Sequence, residues 1–410
     1  MNLFEELKWR GLVYATTDEE VEKRINGGNE TFYLGTDPTG DSLHVGHLLV
    51  FILAKRLEKC GHHPILLIGG GTGFIGDPKP TAERKMLTKE QIEHNAECLY
   101  AQVKNLFNCE MVNNYDWLSN LDLITFLRDY GKLFNVNYMI NKETVKARLD
   151  SGISYTEFTY QILQAIDFEH LFKEKKVTLQ IGGQDQWGNI TGGLELIRKL
   201  HGNDAWAGGF TTPLFMKSDG TKFGKSESGT IWLDKEKTSP YAFYQFWLNT
   251  PDADVIKELK QFTFLSKEEI EKLEESFKES PHLREAQKAL AKEMTIMIHG
   301  EAAYEQAVRL SAALFSGNIK DLTTEEIKMG FEGIPQVELH EEIGLINALT
   351  LVGAAKSNRE ARDFINGGGV SINGDVVKDM NFVITDKDVI GEYTIIRRGK
   401  KNYYVLKHGK

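Results

Sequence analysis

Cysteine is scarce in this chain. Cys60, Cys98 and Cys109 are the only three, and none sits in a Cys-x-x-Cys pair, which argues against a disulfide framework and against a zinc finger. A reducing cytoplasm is the simplest home for such a sequence. Long apolar runs are missing too. The longest, LLVFILA at 48–54, falls far short of the ~20 residues that span a bilayer, so no membrane is expected among the partners. The first residues, MNLFEELKWRGLVYATT, place acids early and hold no apolar block, so they do not read as a signal peptide. Basic charge is also lacking overall, with a formal net charge of −10.

What is present begins with the exception to that last deficit. Residues 351–410 hold eleven Lys and Arg against seven Asp and Glu, a balance of +4 that leaves −14 for residues 1–350. The last stretch, RRGKKNYYVLKHGK, interleaves six basic residues with two tyrosines. An acidic protein with a basic, aromatic tail can hold nucleic acid through a local patch, and a merely solvated charged end is the other reading of the same residues. The length of 410 residues, 41% hydrophobic and 26% charged, suits a globular protein of two or three domains.

Along the first 220 residues, short apolar runs alternate with amphipathic stretches: TFYLGTD, LHVGHLLVFILAKRLEKCG, PILLIGGG and later VTLQIGG. Glycine-ended apolar runs separated by helix-like segments predict strand–helix–strand units and a parallel sheet. From Ser239 to about Leu322 the pattern changes to successive helices, SPYAFYQFWLN, SKEEIEKLEESFKES and HLREAQKALAKEMTIMIHG. The stretch 321–342 holds seven acids and one lysine without a clear period and reads as a linker. Beyond it, LINALTLVG and SNREARDFINGGG predict two short helices, and VSINGDVV an Asn-Gly turn between strands. The predicted class is α/β, with a Rossmann-like parallel-sheet catalytic domain over 1–220, an all-helical domain over 221–322, a linker over 323–344 and a small α+β domain over 345–410.

Three segments carry chemistry. In YLGTDPTGDSLHVGHLLVFILAKRLEKCG a strand ends at Gly35, a turn follows, and a helix is expected from about Ser42 to a stop at Gly61. Its free N–H groups and partial positive charge suit a phosphate. His44 and His47 lie three apart on one face, and Gly46 lets a flat ring approach closely. Metal ligation is the competing use of two such histidines, but no further His/Cys cluster accompanies them. GTGFIG (71–76) matches the dinucleotide fingerprint, yet Asp77-Pro78-Lys79-Pro80 follows where a helix should open. GTKFGKS (220–226) has three residues before its Gly-Lys-Ser where a phosphate-binding P-loop has four, and no helix-forming sequence after it.

PTGDSLHVGH and KFGKS, about 180 residues apart in that order, together resemble the "HIGH" and "KMSKS" signatures of class I aminoacyl-tRNA synthetases. TEFTYQILQAIDF, LQIGGQDQWGNI and GTKFGKSESGTIWLDKEKTSPYAFYQFW resemble bacterial tyrosyl-tRNA synthetases, and the likeness runs over essentially the whole chain. The resemblance implies a tyrosine–tRNA ligase that joins L-tyrosine and ATP into tyrosyl-adenylate and then charges tRNA(Tyr). It implies Mg²⁺ carried with ATP, no resident metal or tightly bound organic cofactor, and a homodimer through LITFLRDYGKLFNVNYM. The tail resembles an RNA-binding module shared by a small-subunit ribosomal protein and some pseudouridine synthases.

By the same resemblance, Tyr160, Gln164 and Asp77 hold the substrate's ammonium, Tyr33 and Asp167 its phenol, and Gln186 sits near its carboxylate. Spacing agrees on one point, since Tyr160, Gln164 and Asp167 share one helical face at i, i+4 and i+7. Gly35, Asp37, Thr39, His44, Gly46, His47, Asp185 and Lys225 are implied at ATP, Asp185 on the ribose hydroxyls. Thr39, His44, His47, Lys222, Lys225 and Ser226 are implied in catalysis, with Lys79 and Arg84 adding charge near pyrophosphate. Leu34 and Val50 line the expected nucleotide site without polar atoms. Tryptophanyl-tRNA synthetases share the architecture, but an indole offers no phenol to Tyr33 and Asp167. A nicotinamide oxidoreductase and a non-catalytic RNA-binding protein are the readings from other classes, and ATP–pyrophosphate exchange separates all of these.

Overall fold

The computed structural model describes residues 1–410 except 80, 81, 108, 217–224, 227, 228, 335, 400, 401 and 410, and describes only the backbone of Lys225 and Ser226. The chain divides into two compact units: Met1–Lys237 with Thr250–Leu290, and Thr238–Asn249 with Ala291–Lys410.

The first unit is built on a six-stranded sheet. Its strands are β1 (Ala15–Thr16), β2 (Thr31–Thr36), β3 (His63–Ile68), β4 (Glu110–Asn113), β5 (Leu179–Gly183) and β6 (Gly208–Thr212), in the order β1-β6-β5-β2-β3-β4. All neighbours run parallel except the short edge strand β1, which is antiparallel to β6. HPILLI in β3 and LQIGG in β5 are buried along nearly their whole length, as strands covered on both faces must be. From β2 the chain builds outward through β3 and β4 on one side, and through β5 and β6 on the other. That reversal puts a crevice at the carboxyl ends of β2 and β5, where open parallel sheets bind ligands.

The helix after β2 spans Val45–Lys59 rather than starting near Ser42. Leu43 and His44 stay outside the helix because the backbone pairs this stretch with a later segment: Val45 N–H donates to the Ile231 carbonyl at 3.0 Å and Leu233 N–H to the Leu43 carbonyl at 2.9 Å. Helices Tyr155–Lys175 and Trp187–His201 pack side by side. Gly193 permits the approach, since a Cβ there would lie 2.9 Å from the Phe168 ring. GTGFIG forms only a one-turn 3₁₀ helix, Thr72–Phe74, as the following prolines predict.

In the second unit, helices Pro240–Leu248, Glu301–Ser316 and Thr324–Gly330 share an apolar core with the tail strands. Strands Asp375–Val376, Val370–Ile372, Tyr393–Arg398, Asn402–His408 and Gln336–Leu339 lie side by side in that order. Asn373 and Gly374, both at positive φ, make the expected hairpin turn. The division of the chain differs from the sequence-based one. Residues 250–290 belong with the first unit, and residues 323–344 are not a linker. Ile327 and Phe331, one helical turn apart, are buried beneath Tyr393, Ile395 and Val405, and Gln336–Leu339 pairs in parallel with Val405–His408. The seven acids of that stretch masked its apolar positions.

A chain ending at Glu338 is therefore expected to lose stability in the second unit. It lacks the strands covering Ile327 and Phe331, each worth about 1.5–3 kcal/mol when fully buried. Calorimetry should show that unit melting several degrees lower, with the transition of the first unit unchanged. An unchanged melting profile would refute the shared core.

Candidate functional site

A cavity of about 320 Å³ opens at the carboxyl ends of β2 and β5. β2 supplies Tyr33, Gly35 and, just past its end, Asp37 and Thr39. The Tyr155–Lys175 helix turns Tyr160, Gln164 and Asp167 into the same space, as the i, i+4, i+7 spacing predicts.

At the inner end, Asp167 is buried and accepts hydrogen bonds from Asn114 Nδ2 at 2.9 Å and Trp117 Nε1 at 2.8 Å. Burial nevertheless pushes its carboxyl up to about 8. Tyr33 faces it from β2. Its hydroxyl is buried with no hydrogen-bond partner, and burial first, then the Asp167 charge, raises its pKa well above the ordinary value. An orphaned hydroxyl beside a desolvated carboxyl calls for a ligand group that both donates and accepts.

Further out, Asp77 accepts from Gln186 Nε2 at 3.0 Å and Asn189 Nδ2 at 3.3 Å, and Gln186 Oε1 accepts from Gln164 Nε2 at 3.2 Å. Burial lifts Asp77 to about 6. Asp37 accepts from Thr72 Oγ1 at 2.7 Å and Tyr160 Oη at 2.8 Å, and burial raises it as well. With both oxygens engaged, the Asp37 side chain braces the site wall. Gly69 permits this, because a Cβ on it would collide with Asp37 Oδ1 and Thr72 Oγ1. The result is a chain of carboxylates and amides suited to a cation at one end and a hydroxyl at the other.

Another part of the cavity wall is formed by Gly46, His47, Val50 and Leu34, with Asp185, also a lining residue, exposed to solvent. His44 is the helix N-cap, its Nδ1 accepting from Gly46 N–H at 3.0 Å, while His47 Nδ1 accepts from His44 N–H at 3.2 Å. The two rings stack with centroids 3.9 Å apart. Burial, then the neighbouring His44, holds His47 down to about 3, so it stays a neutral hydrogen-bonding ring. His44, stacked on His47, is not among the residues lining the cavity.

The chain just after KFGKS is bonded to this helix end through its backbone. Lys225–Ser226 pairs antiparallel with Gly229–Thr230, and the residues that follow, Ile231–Leu233, are those bonded to Leu43 and Val45. Lys222 and the side chains of Lys225 and Ser226 lie outside the described residues. Among the described residues, no three His, Cys, Asp or Glu side chains gather to hold a metal ion.

Sequence reading missed Asn114 and Trp117, which hold Asp167 from more than 45 residues away in the chain. It missed Asn189, although GNI follows directly on GGQDQW. It also missed Lys142, which lies across Gly188 and Gly192. Burial lowers its ammonium to about 8 while the charge of Asp77 opposes that fall. A lysine in the polar run NKETVKARLD carries no signal of this.

Two family profiles match the chain: "tRNA synthetases class I (W and Y)" over residues 26–316 and "Tyrosine–tRNA ligase SYY-like C-terminal domain" over 326–406. Among solved structures, a C-terminally truncated mitochondrial tyrosyl-tRNA synthetase of Aspergillus nidulans is 32% identical, with a TM-score of 0.68 over 76% of this chain and 93% of that one. The corresponding truncated enzyme of Coccidioides posadasii is also 32% identical, with a TM-score of 0.67 over 75% and 91%. The Archaeoglobus fulgidus tyrosyl-tRNA synthetase complexed with L-tyrosine shares the fold at 18% identity, with a TM-score of 0.57 over 75% of this chain and 100% of that one. The first two relatives are fungal mitochondrial proteins, so the likeness holds for the family and not for a bacterial branch in particular. The chain belongs to the tyrosyl-tRNA synthetases, class I aminoacyl-tRNA synthetases that ligate tyrosine to tRNA.

Proposed function

We propose that the cavity of the first unit binds L-tyrosine and ATP with the residues named above, and that the observation carrying this reading is the buried, unpartnered Tyr33 hydroxyl facing Asp167. A substrate phenol donates to Asp167 and accepts from Tyr33. The substrate's ammonium lies against Asp77, Tyr160 and Gln164, with its carboxylate near Gln186. ATP lies over Gly46 and His47, its ribose hydroxyls on Asp185, its phosphates toward Thr39, His44 and the KFGKS lysines. Mg²⁺ belongs to this scheme as part of the ATP substrate.

The tyrosine carboxylate, already ionised at neutral pH, attacks the α-phosphorus in line, and the bond to pyrophosphate breaks. No general base is required. Thr39, His44, His47, Lys222, Lys225 and Ser226 stabilise the charge that develops, with Lys79 and Arg84 near the departing pyrophosphate, so catalysis is positioning and electrostatics. A ribose hydroxyl of the terminal adenosine of tRNA(Tyr) then attacks the tyrosyl carbonyl, releasing AMP. The basic tail of the second unit supplies phosphate contacts to the tRNA.

The finer reading is a cytoplasmic enzyme of bacterial type acting as a homodimer. Leu123, Ile124, Leu127, Val136 and Tyr138 are exposed in one segment, and such a patch marks an association surface. The experiment is ATP–pyrophosphate exchange with tyrosine, tryptophan and phenylalanine. Exchange with tyrosine alone is expected, and exchange driven by tryptophan would sink the assignment of Tyr33 and Asp167.

Asp77 adds a pH test. With its carboxyl near 6, acidification protonates it and removes the charge that holds the ammonium. Tyrosine affinity is expected to fall below pH 6, by up to about tenfold per pH unit, and Asp77→Asn should bind more weakly with a flat profile between pH 5 and 7. A parent enzyme with a flat profile there would remove Asp77 from this role.

A further inference from the structure

The cavity wall includes Asp77 and Arg84, and Arg148, which is not among the lining residues, holds groups next to them. Arg148 is only 3% exposed. Its guanidinium makes five hydrogen bonds: from Nη1 to the Lys79 carbonyl and to Glu157 Oε2, both 3.0 Å, from Nη2 to Glu83 Oε2 at 2.9 Å and the Gly152 carbonyl at 3.0 Å, and from Nε to the Gly152 carbonyl at 3.2 Å. Glu157, itself buried, uses its other oxygen to accept the Arg84 backbone N–H at 2.6 Å. Glu83 also accepts from the Ser154 hydroxyl. Arg84 then donates Nε to the Asp77 carbonyl at 2.7 Å and lines the cavity.

This network reaches Arg84 and Asp77 unequally. The Asp77 carboxylate has anchors of its own in Gln186 and Asn189. Arg84 depends at its backbone on Glu157, and Glu157 is held in turn by Arg148. A planar fork that satisfies two carboxylates and two carbonyls at once is a use that lysine cannot replace.

We propose that Arg148 is a positioning residue for tyrosine activation: by tying Lys79, Glu83, Gly152 and Glu157 together it aims Arg84 at the departing pyrophosphate. The proposal rests on the reading of Arg84 given above. Arg148 touches no substrate, so its effect falls on the step in which pyrophosphate leaves or returns, and tyrosine binding is left to Asp77.

The test uses Arg148→Lys, Arg148→Gln, Arg84→Ala, the double variant Arg84→Ala/Arg148→Gln, and Glu83→Gln as a surface change that spares the fold. Three quantities are measured on the full-length protein: the single-turnover rate of tyrosyl-adenylate formation, the affinity of the enzyme-bound adenylate for inorganic pyrophosphate in the reverse reaction, and tyrosine binding at equilibrium. Arg148→Lys and Arg148→Gln are expected to slow adenylate formation about 10- to 100-fold, the scale of a small misplacement of a catalytic group. Pyrophosphate affinity should weaken in step, while tyrosine binding stays within about twofold. Glu83→Gln should shift the same two quantities more mildly. In the Arg84→Ala background, Arg148→Gln should add little, because both act through one side chain. Parental kinetics in the Arg148 variants beside a defective Arg84→Ala overturns the proposal alone. Parental pyrophosphate affinity in Arg84→Ala overturns the Arg84 reading and the proposal with it. Loss of stability and tyrosine affinity in parallel, equally large in the double variant, would make Arg148 a purely structural residue.

Discussion

Asp167→Ala is expected to lower kcat/KM for tyrosine activation by about 100-fold or more. Two losses combine. The substrate phenol loses a carboxylate acceptor, an interaction worth about 1.5–3 kcal/mol, and each buried donor left without a partner costs about 1–3 kcal/mol more. Trp117 Nε1 is such a donor, since Asp167 Oδ1 is its acceptor. Tyr33→Phe should be milder, because its hydroxyl already stands unpartnered in the free enzyme, and its removal leaves the fold and adenylate chemistry in place. Exchange assays on both variants with tyrosine and phenylalanine are the measurement. Undiminished discrimination in Tyr33→Phe would show that Tyr33 does not read the phenol.

The same substitution has a pH signature. Asp167 binds its proton more tightly in the folded protein, near 8, than in an unfolded chain, near 3.9. Its ionisation therefore opposes folding: the parent loses stability as pH rises from about 4 towards about 8, and Asp167→Ala is free of that loss. The deficit in melting temperature of the variant should shrink between pH 5 and pH 8. A deficit that grows with pH would mean that the carboxylate is better stabilised than its burial implies.

The site was legible where chemistry followed a local period. Tyr160, Gln164 and Asp167 could be placed on one face because seven residues of helix fix their directions, and Asn373-Gly374 because a two-residue hairpin demands positive φ. The support of Asp167 was not legible. Asn114 and Trp117 come from beyond the end of β4, and only the pairing of β4 with β3 brings them under the helix that carries Asp167. The start of the Val45 helix was misjudged for a related reason. Asp41 and Ser42 are good local capping residues, but the backbone of 231–233 claims Leu43 and Val45 for β-type bonds. Arg148 was invisible because its four acceptors are two carboxylates and two backbone carbonyls, which no spacing of residue types announces.

That pairing of Leu43 and Val45 with Ile231 and Leu233 underlies the last prediction, on Lys225. The GTKFGKS segment ends only a few residues before Ile231, and Ile231 is bonded directly to the first residue of the Val45 helix. The residues just after the loop are thus tied to this helix end, whose first N–H groups are taken by the Ile231 carbonyl, His44 Nδ1 and the His44 carbonyl, so what the end offers a phosphate is its partial positive charge. Lys225→Ala is expected to slow tyrosyl-adenylate formation by roughly 10²–10³-fold, the scale for removing one group that stabilises charge appearing in a transition state. Tyrosine affinity should stay within about twofold, because an ammonium that meets its full counter-charge only as pyrophosphate departs lowers the barrier without tightening the ground state. Single-turnover adenylate formation and equilibrium tyrosine binding, measured on the same preparation, separate the two. A variant that forms adenylate at the parent rate would detach this loop from the chemistry, and one that binds tyrosine an order of magnitude more weakly would place Lys225 in the ground-state site instead.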